Sequence, residues 1–187
     1  EHGNYEVALS IEPFQQPDIA ELNRSLDLNR PRHSGWAPFV CLHREGMTPR
    51  PMGSVIQAWL VGEEGLDRDP AVSDFWRLST DGRGYLVRAM QEDEPDYGAN
   101  LMPPPFRPGF DWELPIYRMT EMLKLIEWLG QTYSTPDAAF QMQVTYNGTN
   151  GRRLTLHRLR YMLDRGGMAH QDSISSRVSG HIEEIAL

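Results

Sequence analysis

Asp81-Gly82-Arg83-Gly84-Tyr85-Leu86-Val87-Arg88-Ala89-Met90 is the stretch on which the fold turns. Asp-Gly supplies a positive-φ corner at little steric cost, so residues 81–84 read as a tight turn that feeds Tyr85–Met90 into a strand. Upstream, Val55, Gln57, Trp59 and Val61 alternate with Ile56, Ala58 and Leu60. Both sets are largely apolar, which predicts a strand placed centrally in a sheet. Tyr5, Val7, Leu9 and Ile11 alternate with polar neighbours and read as a half-buried strand. Pro38–Leu42 is a further short apolar strand, followed by a proline-containing turn through Thr48-Pro49-Arg50-Pro51. Pro17-Asp18 opens a helix whose apolar face is Ile19, Leu22 and Leu26, reaching about Leu28 before Arg30-Pro31 ends it. Beyond the acidic stretch at Glu63, Glu64, Asp67 and Asp69, Pro70 is expected to open a short helix through Asp74, Phe75 and Trp76.

Downstream of the opening stretch, residues 91–109 carry Pro95, Pro103, Pro104, Pro105 and Pro108 and read as a long loop of the kind used as a functional flap. Phe110–Glu113 resumes extended structure. Pro115 begins the clearest helix, ending near Gly130. Its apolar stripe is Ile116, Met119, Leu123, Ile126 and Gly130, widened by Met122, Leu125 and Leu129, with Glu121 and Lys124 pairing on the solvent side. Ala138–Tyr146 is a strand. Asn147-Gly148-Thr149-Asn150-Gly151 is a doubled hairpin signal with Arg153–Leu156 as the returning partner, and Ser173–Leu187 reads as a final strand or an amphipathic element. Strands and helices mix without βαβ spacing. The expected class is α+β: a mainly antiparallel sheet packed with one long and two shorter helices, in a single domain over residues 1–187.

Composition narrows the roles. The 187 residues are 40% hydrophobic, enough for a real core. No apolar run approaches the ~20 residues of a membrane-spanning helix. Cys41 is the only cysteine, flanked by Phe39, Val40 and Leu42, so it reads as a small buried hydrophobe, and a reducing, cytoplasmic setting is expected. The net charge of −8 argues against a dedicated nucleic-acid-wrapping surface. That charge is uneven. Residues 1–149 hold 12 basic and 22 acidic groups, whereas residues 150–187 hold 6 and 4. Arg152, Arg153, Arg158 and Arg160 crowd the basic segment at 152–165 and are the candidate nucleic-acid contacts. Leu154, Leu156, Leu159 and Leu163 interleave them, as on an ordinary solvated face.

Chemistry has little signal. His33 and His43 stand ten apart, without HExxH spacing or a Cys/His box, and no metal or cofactor is implied. Glu92-Asp93-Glu94-Pro95-Asp96 lacks the spacing of a calcium loop. A nucleophile elbow, a P-loop and a GxGxxG turn are all missing. An enzyme of unrecognised type would draw first on His33, His43 and Glu92. A binding surface would draw on aromatic anchors: Trp36, Trp59, Trp76 and Tyr97, with Arg77 beside Trp76.

Several blocks taken in order carry a family resemblance. They are His33-Ser34-Gly35-Trp36-Ala37-Pro38-Phe39, Ala58-Trp59-Leu60, Ser73-Asp74-Phe75-Trp76-Arg77, Asp81 to Arg88, Gln91-Glu92-Asp93 and Leu114-Pro115-Ile116-Tyr117-Arg118. Their order and spacing, over about residues 30–155, resemble the region C-terminal to the AlbA-type, Schlafen-like DNA-binding domain of bacterial proteins labelled helix-turn-helix or ATP-binding transcriptional regulators. The resemblance implies an upstream Schlafen-like domain in the full-length protein. For this chain it implies a sensor, effector or partner-binding role in regulation or defence, toward a protein partner or a small ligand. The leading expectation is therefore a non-catalytic sensing or interaction domain, and the alternative is an accessory domain touching nucleic acid through residues 152–165.

Overall fold

The computed structural model describes residues 3–29, 31, 37–60, 74–93, 109–155 and 167–185. Among them lie nine strands and two α-helices. The strands are β1 (Asn4–Glu12), β2 (Arg50–Met52), β3 (Val55–Leu60), β4 (Asp74–Ser79), β5 (Arg83–Ala89), β6 (Gly109–Asp111), β7 (Ala139–Asn147), β8 (Arg153–Thr155) and β9 (Ser173–His181). The helices are α1 (Ile19–Leu28) and α2 (Glu113–Tyr133), and 3-10 turns occupy Gln91–Asp93 and Ile182–Ile185. Seven strands form one sheet in the order β2-β3-β4-β5-β1-β7-β9, every neighbour antiparallel. The class is α+β with a mainly antiparallel sheet, as the alternation predicts. The helix inventory differs from expectation.

The helix expected to run through Asp74, Phe75 and Trp76 is strand β4. Asp74, Trp76 and Leu78 point inward while Phe75, Arg77 and Ser79 point out, and this two-residue period with bulky aromatics suits a pleated surface. Arg50 and Pro51, expected within the Thr48–Pro51 turn, belong to β2, which pairs with β3, whereas residues 38–42 form no strand. Nor is Arg153–Thr155 the partner of β7. It pairs in parallel with β6 in a two-stranded sheet, and β7 takes β9 over nine residue pairs from Asn147↔Ser173 to Ala139↔His181. The doubled Asn-Gly signal thus marks a corner leading out of the sheet, with Gly148 and Gly151 both at positive φ.

Local chemistry explains both helices. Asp18 caps α1 by accepting from the Ala20 and Glu21 amides at 2.9 and 3.2 Å. Leu22 and Leu26 enter the core, while Leu28 is exposed. At the start of α2, Asp111 Oδ1 accepts the Glu113 amide at 3.0 Å. Met122, Leu125, Ile126 and Leu129 are buried, and so is Glu121, which was expected on the solvent side; Ile116, expected in the stripe, is exposed. The buried arc of α2 is rotated toward Glu121 and Arg118 relative to the stripe read from the sequence. Gly130 lies where a Cβ would come within 2.4–2.9 Å of Ile182, so the helix closes directly on the C-terminal 3-10 turn.

Among the described residues, only one face of the sheet is covered. Tyr5, Val7, Leu9 and Ile11 of β1 share the core face with Leu86, Trp76, Leu78, Ile56, Phe140 and Met142, under α1, α2 and residues 37–41. Gly82, at φ +84°, lets the β4–β5 turn approach Ile11, whose amide donates to the Gly82 carbonyl at 3.1 Å. Among the described residues the opposite face is bare. β3 therefore lies inside the sheet, but its second apolar set is not covered, and Trp59 is 56% exposed.

Candidate functional site

On the bare face, register brings together residues far apart in sequence. Trp59 pairs with Phe75, and Phe75 pairs with Val87. One rung away, Arg50, Gln57, Arg77, Tyr85, Ala8, Gln143 and Arg177 stand side by side across all seven strands. The Trp59 and Phe75 rings lie 4.4 Å apart between centroids, and the Phe75 and Tyr85 rings 6.4 Å. The Arg77 guanidinium sits 6.0 Å from the Tyr85 ring centroid. Tyr85 donates its hydroxyl to Glu6 at 2.9 Å. Desolvation, reinforced by Glu6, pushes this phenol above its ordinary value, so it stays protonated as a donor. Glu6 also accepts from Asn147 at 3.0 Å. The carboxylate nearest the aromatic row is thus occupied by neighbours.

The expected binding residues separate into three groups. Trp59 and Arg77 meet on this face. Trp76 does not reach it: its side chain is fully buried, its ring stacks on Phe39 at 5.0 Å, and its indole N–H donates to the Val40 carbonyl at 2.7 Å. Trp36 and Tyr97 lie outside the described residues, as does most of the 91–109 loop. Phe75 and Tyr85 were missed as surface candidates. Their signal is parity: each is an odd number of positions from the buried Trp76 or Leu86 on its own strand, so each must face the other way.

The basic segment behaves differently from its reading. Arg152 is 1% exposed and serves as a structural clamp. Its Nη2 donates to Asp93 Oδ2 at 2.6 Å, Nη1 to the Gly109 carbonyl at 3.1 Å and Nε to the Gly148 carbonyl at 2.5 Å. Burial of this kind excludes it as a nucleic-acid contact. Arg153 is exposed, and Arg158 and Arg160 lie outside the described residues.

A second polar cluster is internal. Arg118 lies 4.8 Å over the Tyr5 ring and donates to Gln91 at 3.3 Å. Arg88 donates to Asp74 at 2.7 Å and to the Ala37 and Pro38 carbonyls at 3.0 Å each, pinning residues 37–38 to the sheet. Glu92 Oε1 accepts the Asp111 amide at 3.2 Å, while its Oε2 has no hydrogen-bond partner among the described residues. Burial raises the Glu92 carboxyl above its ordinary value, partly offset by Arg118. Burial likewise raises the Tyr146 phenol, which packs between Tyr5 and Phe110 at 5.5 Å from each ring. His43 bonds Asp27 at 3.0 Å on the exposed side of α1, and His33 lies outside the described residues. No three His, Cys, Asp or Glu side chains among the described residues gather as metal ligands. No described helix is long and apolar enough to cross a membrane.

The raised Glu92 carboxyl gives a signed pH expectation. The folded state holds the proton more tightly than the unfolded chain, so the group favours folding below the usual carboxylate range. That contribution is lost as pH rises through the folded-state value. Glu92→Gln, which keeps the acceptor for the Asp111 amide, should therefore gain stability over the parent as pH rises from about 4 to about 7. Urea denaturation at both values checks this; an equal difference at the two would show that Glu92 ionisation carries no cost.

Compared with protein-family models, with curated proteins and with solved structures, the chain matches none of them.

Proposed function

We propose that this chain is a non-catalytic sensing and partner-binding domain of a multidomain bacterial regulatory or defence protein. Its contact surface is the bare sheet face around Trp59, Phe75, Arg77 and Tyr85. The observation that carries this reading is the solvent exposure of Trp59 in contact with Phe75, on a face where a one-sided sheet ordinarily presents polar side chains. Trp and Tyr bind well because they bury much area with few rotatable bonds. The resemblance of residues 30–155 to the region downstream of a Schlafen-like domain supports the regulatory setting.

Backbone amide NMR during titration with mononucleotides, short oligonucleotides and acidic peptides tests the reading. Shifts clustered on Trp59, Phe75, Arg77 and Tyr85, and abolished by Trp59→Ala, are expected. Shifts confined to α2 and residues 37–49, or chemical turnover of any ligand, would overturn it.

A further inference from the structure

We infer that the bare sheet face binds single-stranded nucleic acid, bases stacking on Trp59 and Phe75 and phosphates meeting the arginines around them. This rests on the binding reading above and specifies its ligand. The first support is charge. The described strand positions of this face carry Arg50, Arg77, Arg83 and Arg177 against Glu6 and Glu12, although the chain as a whole stands at −8. Tyr85 and Asn147 hold Glu6 by hydrogen bonds without cancelling its charge, and Arg83 lies 3.8 Å from Asp81, so the excess positive charge on these positions rests on Arg50, Arg77 and Arg177. Every cation in the set is arginine, whose planar fork matches phosphate oxygens and stacks on rings.

The second support is layout. Arg50, Arg77 and Arg177 share one rung on β2, β4 and β9, and six inter-strand steps of about 4.8 Å make that rung about 29 Å long. Trp59 and Phe75 flank the rung on β3 and β4. Basic positions beside the exposed Trp59 ring, with the half-buried Phe75 next to it, match the two elements that hold single strands without base-specific readout. A duplex buries its base faces and offers the rings nothing to stack on. An acidic peptide would use the arginines but leave the Trp59–Phe75 pair unexplained.

Fluorescence anisotropy of labelled dT12 and U12, a 12-base-pair duplex and an oligo-glutamate peptide tests the inference at several salt concentrations. The single strands are expected to bind best. Trp59→Ala should weaken them about 5- to 100-fold, and Trp59→Phe should restore part of the loss. Arg77→Gln should reduce the slope of log affinity against log salt by about 0.7. Arg153→Gln, off this face, should change nothing. Equal duplex binding, or single-strand binding insensitive to Trp59→Ala and lost in Arg153→Gln, would overturn the inference. Absence of oligonucleotide binding at low salt, with oligo-glutamate binding that Trp59→Ala abolishes, would overturn the nucleic-acid assignment and leave the face as the binding surface. Circular dichroism of each variant separates lost binding from lost folding.

Discussion

Replacing Arg152 with Met should lower the unfolding free energy by about 3–5 kcal/mol, the usual result of removing one member of a buried ion pair. The cost has three sources. Asp93 would keep only the Gly3 amide, at 2.6 Å, as partner for Oδ2. The Gly109 and Gly148 carbonyls would each lose a donor. Four segments, around Gly3, Asp93, Gly109 and Gly148, would lose the side chain that joins them. Arg152→Lys should recover little, because one ammonium cannot reproduce the planar set of donors. Arg152→Met combined with Asp93→Asn should recover part, since the stranded carboxylate is removed. Urea midpoints of the three variants provide the check. A shift under about 1 kcal/mol for Arg152→Met would mean that the guanidinium is not a structural tie.

Trp76→Ala should cost about 3–5 kcal/mol, whereas Trp59→Ala should stay within about 1 kcal/mol. The two side chains lie on neighbouring, paired strands and differ only in the face they take. Trp76 fills the core against Phe39 and satisfies the Val40 carbonyl. Truncation would leave both a cavity and an unpaired acceptor. Trp76→Phe should fall between, since much of the volume survives but the N–H donor does not. Denaturation of the three variants under one buffer tests this. A larger loss for Trp59→Ala than for Trp76→Ala would reverse the assignment of the two faces.

What was legible in the sequence follows from the range of the interactions. Tyr5–Ile11 and Ala138–Tyr146 announce themselves because a strand with one buried face writes its own two-residue period. The Asp18 cap and the Asp81-Gly82 turn are equally local. β4 was hidden by competing local signals, since Pro70 and Asp74 resemble a helix start and the alternation of Trp76 and Leu78 is short. Strand pairing was not legible. A hairpin from β7 to residues 153–156 has better local turn chemistry than the actual partner β9, whose Ser-rich sequence lacks an apolar period. Arg152 and Arg153 are adjacent and alike on paper, yet one is a buried clamp and the other is exposed. Only tertiary placement distinguishes them. The aromatic face was half legible: Trp59 and Arg77 were singled out, but their meeting with Phe75 and Tyr85 depends on the register of β3, β4 and β5.

The position of β1 has a consequence for how the molecule assembles in time. It is the first strand in sequence, yet it sits between β5 and β7, and Asn4 pairs with both Ala89 and Asn147. The β3–β4–β5 meander can close through short-range contacts alone, but β7 and β9 reach it only through β1. Until residues near 147 are available, β1 can be stitched on one side only, and its second edge stands open. Contacts of such sequence separation slow folding, and an unpaired apolar strand edge is prone to the wrong partner while it waits. The rate-determining event should therefore be the docking of the paired β7 and β9 strands onto β1, late in refolding.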